Sequence, residues 1–83
     1  MSFTVVVQET ALRALARIRT EDKDAFALIR PALADLAVQP HPDEAVAWGG
    51  SGIYRLHLPG SRILYELEED TATVYVINVA VTA

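Results

Sequence analysis

Residues 52–68, Gly52-Ile53-Tyr54-Arg55-Leu56-His57-Leu58-Pro59-Gly60-Ser61-Arg62-Ile63-Leu64-Tyr65-Glu66-Leu67-Glu68, alternate apolar and polar on either side of a Pro-Gly-Ser break, the pattern of a β-hairpin. With Gly60 and Ser61 as the loop, Pro59 faces Arg62, Leu58 faces Ile63, Leu56 faces Tyr65 and Tyr54 faces Leu67, so one side is uniformly apolar. The other side carries Ile53, Arg55, His57, Arg62, Leu64, Glu66 and Glu68. It gathers Arg55, His57 and Arg62 on a surface able to meet a polyanion. In the same register Glu66 stands opposite Arg55, a cross-strand ion pair worth about 0.2–1 kcal/mol.

Upstream of the hairpin, Phe3 to Val7 is β-branched or aromatic with Thr4 interleaved, which suits a first strand. Thr10 reads as the N-cap of a helix over Ala11 to Arg19, with Ala11, Leu15 and Ile18 on one face and Arg13 and Arg17 on a solvated one. Thr20 reads as a second cap, followed by Glu21 and Asp22 at the positive end of a second helix. Its inward positions are Phe26, Ile29, Leu33 and Leu36, and it ends before Gln39-Pro40-His41-Pro42. Pro31 predicts a kink, because it removes an amide donor and crowds the carbonyl of Ala27; the alternative is a break at Arg30 with Pro31 opening a new helix. Residues Gln39 to Gly52, with three glycines and two prolines, read as a loop anchored by Trp48.

Downstream, Glu69-Asp70-Thr71 forms an acidic turn, and Thr73 to Val81 reads as a strand apolar on both faces through Val74, Tyr75, Val76, Ile77, Val79 and Val81. Such a strand belongs inside a sheet, with the first strand covering its far side. The resulting class is α+β in the order βααβββ: an N-terminal strand and an α-hairpin packed on one face of a four-stranded, mainly antiparallel sheet.

Composition narrows the function classes. The 83-residue chain is 52% hydrophobic, enough for a core, although a domain of this size buries only about 60–65% of its unfolded surface. No run reaches the ~18 apolar residues of a membrane span, and the first residues read as a strand and not as a signal peptide. The expected location is the cytoplasm. Without cysteine, disulfides, thiolate nucleophiles and cysteine zinc sites are excluded. A formal charge of −4 counts against nonspecific nucleic-acid binding and leaves room for a local basic patch.

The order of elements, the segments Gly52-Ile53-Tyr54-Arg55-Leu56 and Gly60-Ser61-Arg62-Ile63-Leu64-Tyr65-Glu66-Leu67, and the valine-rich last strand together resemble the RelE/ParE toxin superfamily. The resemblance covers nearly the whole chain, read as a single domain over residues 1–83. Leu36-Ala37-Val38-Gln39-Pro40 fits the break that ends the family's α-hairpin, and Tyr54-Arg55-Leu56-His57 fits its YRLR-type strand. The resemblance implies the toxin of a type II toxin–antitoxin pair, with a cognate antitoxin as partner and no small-molecule cofactor. The RelE-like branch cleaves messenger RNA in the ribosomal A site, so ribosome and mRNA are the implied targets; the ParE-like branch acts on DNA gyrase. A RelE-fold binding module that has lost its chemistry and retains its antitoxin is the other alternative.

In the nuclease branch a ribose 2′-hydroxyl attacks its own 3′ phosphate, which needs a base, charge stabilisation and an acid. Arg55 and Arg62 match the family's basic positions and are the candidates for RNA binding and catalysis, with His57 as acid or base. Ser61 stands where an aromatic residue commonly precedes the second arginine, Ile53 where a basic residue often lies, and Val79-Ala80-Val81-Thr82-Ala83 where Gly-His-Arg is expected. The catalytic set is incomplete. Arg62 equally reads as a turn-flanking, solubilising residue, and His57 as a surface histidine. His41 has no partner histidine at metal-ligand spacing, so no metal site is expected. Tyr54 and Tyr65 fall on the helix-facing side as core residues, and Glu66, Glu68, Glu69 and Asp70 form a solvated acidic end.

Overall fold

The structure is a computed structural model and describes residues 2–50 and 52–82; Met1, Ser51 and Ala83 lie outside the described residues. Its elements are β1 (Thr4–Val7), α1 (Glu9–Glu21), α2 (Lys23–Leu36), β2 (Ala45–Ala47), β3 (Ile53–Leu58), β4 (Ser61–Glu68) and β5 (Thr73–Val81). They form one sheet in the order β1-β5-β4-β3-β2. β1 runs parallel to β5 and the other pairs are antiparallel. The apolar last strand is thus flanked on both sides, as its composition requires.

Both helices pack on one face of this sheet. Ala11 and Ile18 of α1 and Ile29 and Leu36 of α2 meet Leu56, Ile63, Tyr65, Leu67, Val74, Val76 and Val79. Phe26 and Leu33 pack at the margin, partly buried, and Ala25 takes a buried position beside them. The inward residues of β5 are Val74, Val76 and Val79, spaced two and then three. Between Leu64 and Tyr65 the β4–β5 register shifts; Ile77 is the extra residue of a β-bulge. The bulge returns Val79 to the core and sends Asn78 to the opposite, open face.

The sheet has five strands where four were expected. Ala45–Ala47 pairs with Tyr54–Leu56 inside the segment read as loop. Three residues between Pro42 and Gly49 carry too little periodicity to announce a strand, and pairing with β3 supplies what propensity does not.

The hairpin closes one residue earlier than expected. Leu58 pairs with Ser61, Leu56 with Ile63, Tyr54 with Tyr65, Arg55 with Leu64 and Ile53 with Glu66. The loop is therefore Pro59-Gly60, with Gly60 at φ +76°; proline second and a positive-φ glycine third is the residue pattern of a type II turn. Because the pairing moves by two residues, every side chain keeps its face, but the Arg55–Glu66 pair is not formed.

Helix starts also differ from expectation. α1 begins at Glu9, with Gln8 as a cap that makes no side-chain bond, so Thr10 lies within the helix. α2 is capped by Asp22, which accepts from Ala25 N at 3.1 Å, and Thr20 lies in the last turn of α1 with its hydroxyl donating to Ala16 O. α2 continues through Pro31 without a break at Arg30. The carbonyl that loses its partner belongs to Ala27, which is exposed and can be solvated. Among the described residues no helix is long and apolar enough to cross a membrane.

Candidate functional site

The helices leave one face of the sheet open, and two turn-forming glycines bring an aromatic residue onto it. β2 ends at Ala47; Trp48 N donates to Ile53 O at 2.9 Å, and Gly49 and Gly52, at φ +77° and +80°, reverse the chain into β3. This places the Trp48 ring over Arg55, with Arg55 Cζ 5.4 Å from the ring centroid. Trp48 is 47% exposed. It does not anchor the loop in the core, as its size had suggested, but stands on the open face.

Around this pair lies a shallow cleft of about 200 Å³ lined by Trp48, Arg55, Arg62, Leu64, Asn78 and Ala80. Cross-strand register assembles it: Arg55 pairs with Leu64, Leu64 with Asn78, and Arg62 with Ala80. Asn78 Oδ1 accepts from Val79 N at 2.9 Å, which leaves the amide NH₂ to donate outward. Among the described residues no carboxylate lines the cleft. Among the described residues neither arginine forms an ion pair, and Arg55 Nε is buried with no hydrogen-bond partner. Two guanidinium groups and the amide NH₂ of Asn78 suit an oxyanion, and the indole suits a flat base.

Of the three residues singled out in the sequence, Arg55 and Arg62 line the cleft together. His57 is exposed on the same face, directly opposite Arg62, and flanks the cleft on its β3 side without lining it. Asn78 and Trp48 were missed as members of the site. An asparagine inside a valine-rich strand was the available signal, since asparagine is depleted from strands.

Tyr54 and Tyr65 serve the other face. Tyr65 is fully buried and stacks on Tyr54 with centroids 5.7 Å apart, while its hydroxyl donates to Pro40 O at 2.8 Å and ties down the segment leading to β2. Burial, with a smaller contribution from Tyr54, pushes the Tyr65 pKa up to about 12. His41 meets Tyr54 edge-on at 5.0 Å and lies 3.5 Å from Glu69. Among the described residues no cluster of His, Cys, Asp or Glu is placed to hold a metal. Glu66, Glu68, Glu69 and Asp70 are all exposed.

Known proteins supply the context for this geometry. No curated protein matches the chain. Among solved structures, the chain resembles the RelBE2 toxin–antitoxin complex of Mycobacterium tuberculosis (22% identity, 98% of this chain and 99% of that one, TM-score 0.78). It also resembles the archaeal RelE–RelB complex of Pyrococcus horikoshii OT3 (18%, 98% and 96%, TM-score 0.81) and the isolated E. coli RelE toxin (19%, 98% and 85%, TM-score 0.79). At these identities the likeness establishes the fold. The model of the family described as "ParE toxin of type II toxin-antitoxin system, parDE" matches residues 5–82. The chain belongs to this family, within the RelE/ParE toxin superfamily, and is the toxin component of a type II toxin–antitoxin system.

Proposed function

We propose that this toxin acts through the Trp48–Arg55–Arg62 cleft and inhibits translation by ribosome-dependent cleavage of messenger RNA. The observation that carries the reading is a pair of arginines beside an aromatic wall, with no carboxylate among the described residues to neutralise them. A ribose 2′-oxygen attacks the adjacent phosphorus, the bond to the 5′-oxygen breaks, and the products are a 2′,3′-cyclic phosphate and a 5′-hydroxyl. Arg62 and Arg55 would stabilise the extra phosphate charge, and Asn78 would add a neutral donor. Proton transfer is the weak part of the set. His57, the candidate for it, approaches from the neighbouring flank, so the reaction is slow unless the ribosome supplies groups of its own. A ribosomal target places the protein in the cytoplasm, where its cognate antitoxin would hold it inactive.

Primer extension on mRNA from cells expressing the toxin without antitoxin tests this. Cleavage at A-site positions that disappears with Arg62→Ala supports it, and growth arrest without such cleavage overturns it. A second reading is favoured by the ParE description of the matching family and by the absence of a proton-transfer side chain from the cleft lining. In it the same face binds DNA gyrase, and purified toxin blocks supercoiling. A chain that binds its antitoxin and shows neither activity is a binding module that has lost its chemistry.

A further inference from the structure

β1 covers only the first half of β5. Its last residue, Val7, pairs with Val76, and Gln8 N donates to Val76 O at 3.0 Å as the chain turns into α1. Among the described residues no strand runs beside Val79 to Val81 on that side. Thr82 N donates to Gly60 O at 2.9 Å, toward the β3–β4 hairpin, so alternation turns the N–H and C=O of Val79 and Val81 outward, to the open edge. The Val79 N–H is met by Asn78 Oδ1 at 2.9 Å; the Val79 carbonyl and both backbone groups of Val81 face no strand. Val81 is 40% exposed, and an edge of this kind is a template for pairing.

The edge opens into a cleft of about 440 Å³ between β5 and the last turns of α1, with Arg17, Glu21 and Asp22 on its helix wall. That wall carries both signs of charge. Arg17 and Glu21 are exposed, and among the described residues neither forms an ion pair; basic before acidic is the order that pairs less well along a helix. Asp22 is occupied in capping α2. An open strand edge flanked by one unpaired cation and one unpaired anion is self-complementary. Under a two-fold axis perpendicular to the sheet at Ala80, a second β5 runs antiparallel, Val79 of each copy falls opposite Val81 of the other, and both α1 helices lie on one face with Arg17 of each copy toward Glu21 of the other.

We infer that two copies of this chain associate through Val79 to Val81 of β5, forming one continuous sheet locked by reciprocal Arg17–Glu21 pairs. Because the partner's Val81 supplies a carbonyl to Val79 N, Asn78 is released from that bond. Asn78 and Ala80 also line the arginine cleft, so pairing sets the two clefts side by side and reaches into each. The inference is independent of whether the toxin acts on mRNA or on gyrase.

Sedimentation equilibrium on the purified toxin, freed of antitoxin, tests it. The parent is expected to dimerise with a Kd below about 100 µM. Arg17→Glu and Glu21→Arg each set like charges across the axis and should weaken dimerisation at least about tenfold. Mixed in equal amounts, the two variants should recover the parent's association as a heterodimer, since every facing pair is then opposite in sign. Val81→Pro removes an outward N–H where an edge strand tolerates proline, and should also weaken the dimer. If Val81→Pro does not fold, the charge variants, confined to the exposed surface of α1, decide. A parent that stays monomeric at that concentration overturns the inference, as does a dimer indifferent to the single reversals or a mixture that fails to recover. A monomeric parent whose antitoxin affinity falls with Val81→Pro assigns the edge to the antitoxin and also overturns it.

Discussion

Arg55 lies beneath the Trp48 ring at 5.4 Å, and its cross-strand neighbour is Leu64 and not a carboxylate. Its charge is therefore oriented by an aromatic face and left uncompensated, so it stays available to a bound anion. A half-exposed cation–π contact is worth about 0.5–1 kcal/mol.

Trp48→Ala is accordingly expected to lower stability by about 0.5–1 kcal/mol and to weaken toxicity, because Arg55 loses its support. Trp48→Phe, which keeps a ring, should retain most of both. Chemical denaturation and growth curves after induction check this. As the chain's one tryptophan, Trp48 also reports on its partner, so Arg55→Ala should change the intrinsic fluorescence.

Tyr65 makes stability fall at alkaline pH. Its folded pKa of about 12 lies above the unfolded value of about 10, so between these values the folded chain keeps a proton that the unfolded chain releases. The stabilisation is complete below pH ~10 and declines by about 1.4 kcal/mol per pH unit up to ~12. Tyr65→Phe should remove this dependence and cost about 0.5–1.5 kcal/mol at neutral pH through the lost bond to Pro40 O. Urea titrations at pH 7 to 11 measure both effects.

Much of this fold was legible because alternation in a strand is robust to an error of two. The faces of Tyr54, Leu56, Ile63, Tyr65 and Leu67 followed from period alone, and so did the assignment of Arg55 and Arg62 to the other side. The pairing itself depended on whether Pro59-Gly60 or Gly60-Ser61 makes the turn, a choice of one residue that removed the Arg55–Glu66 pair. β2 and the β5 bulge were illegible for a common reason: each is fixed by a neighbouring strand and not by its own sequence. Those two features bring Trp48 and Asn78 to the cleft, so half of the candidate site could not be seen before the sheet was.

Two glycines with nearly the same φ should respond differently to alanine. Both Gly49→Ala and Gly52→Ala force a left-handed residue, at about 1–2 kcal/mol. Only at Gly52 would the new Cβ also approach a backbone atom, 3.1 Å from Leu67 O, whereas at Gly49 it meets nothing within 4 Å. Gly52→Ala is therefore expected to have the lower melting temperature of the two.

Capping offers a further check on the helix boundaries. Asp22→Ala removes the bond from Ala25 N and should cost about 1 kcal/mol. Thr10→Ala lies inside α1 and should leave the melting temperature unchanged or raise it.

The central claim is that the open-face arginines are the toxin's working surface, and growth arrest measures it most directly. Arg55→Ala/Arg62→Ala, induced without antitoxin and shown by its melting curve to be folded, is expected to lose the growth arrest caused by the parent chain. Full arrest by the folded double variant would contradict the account.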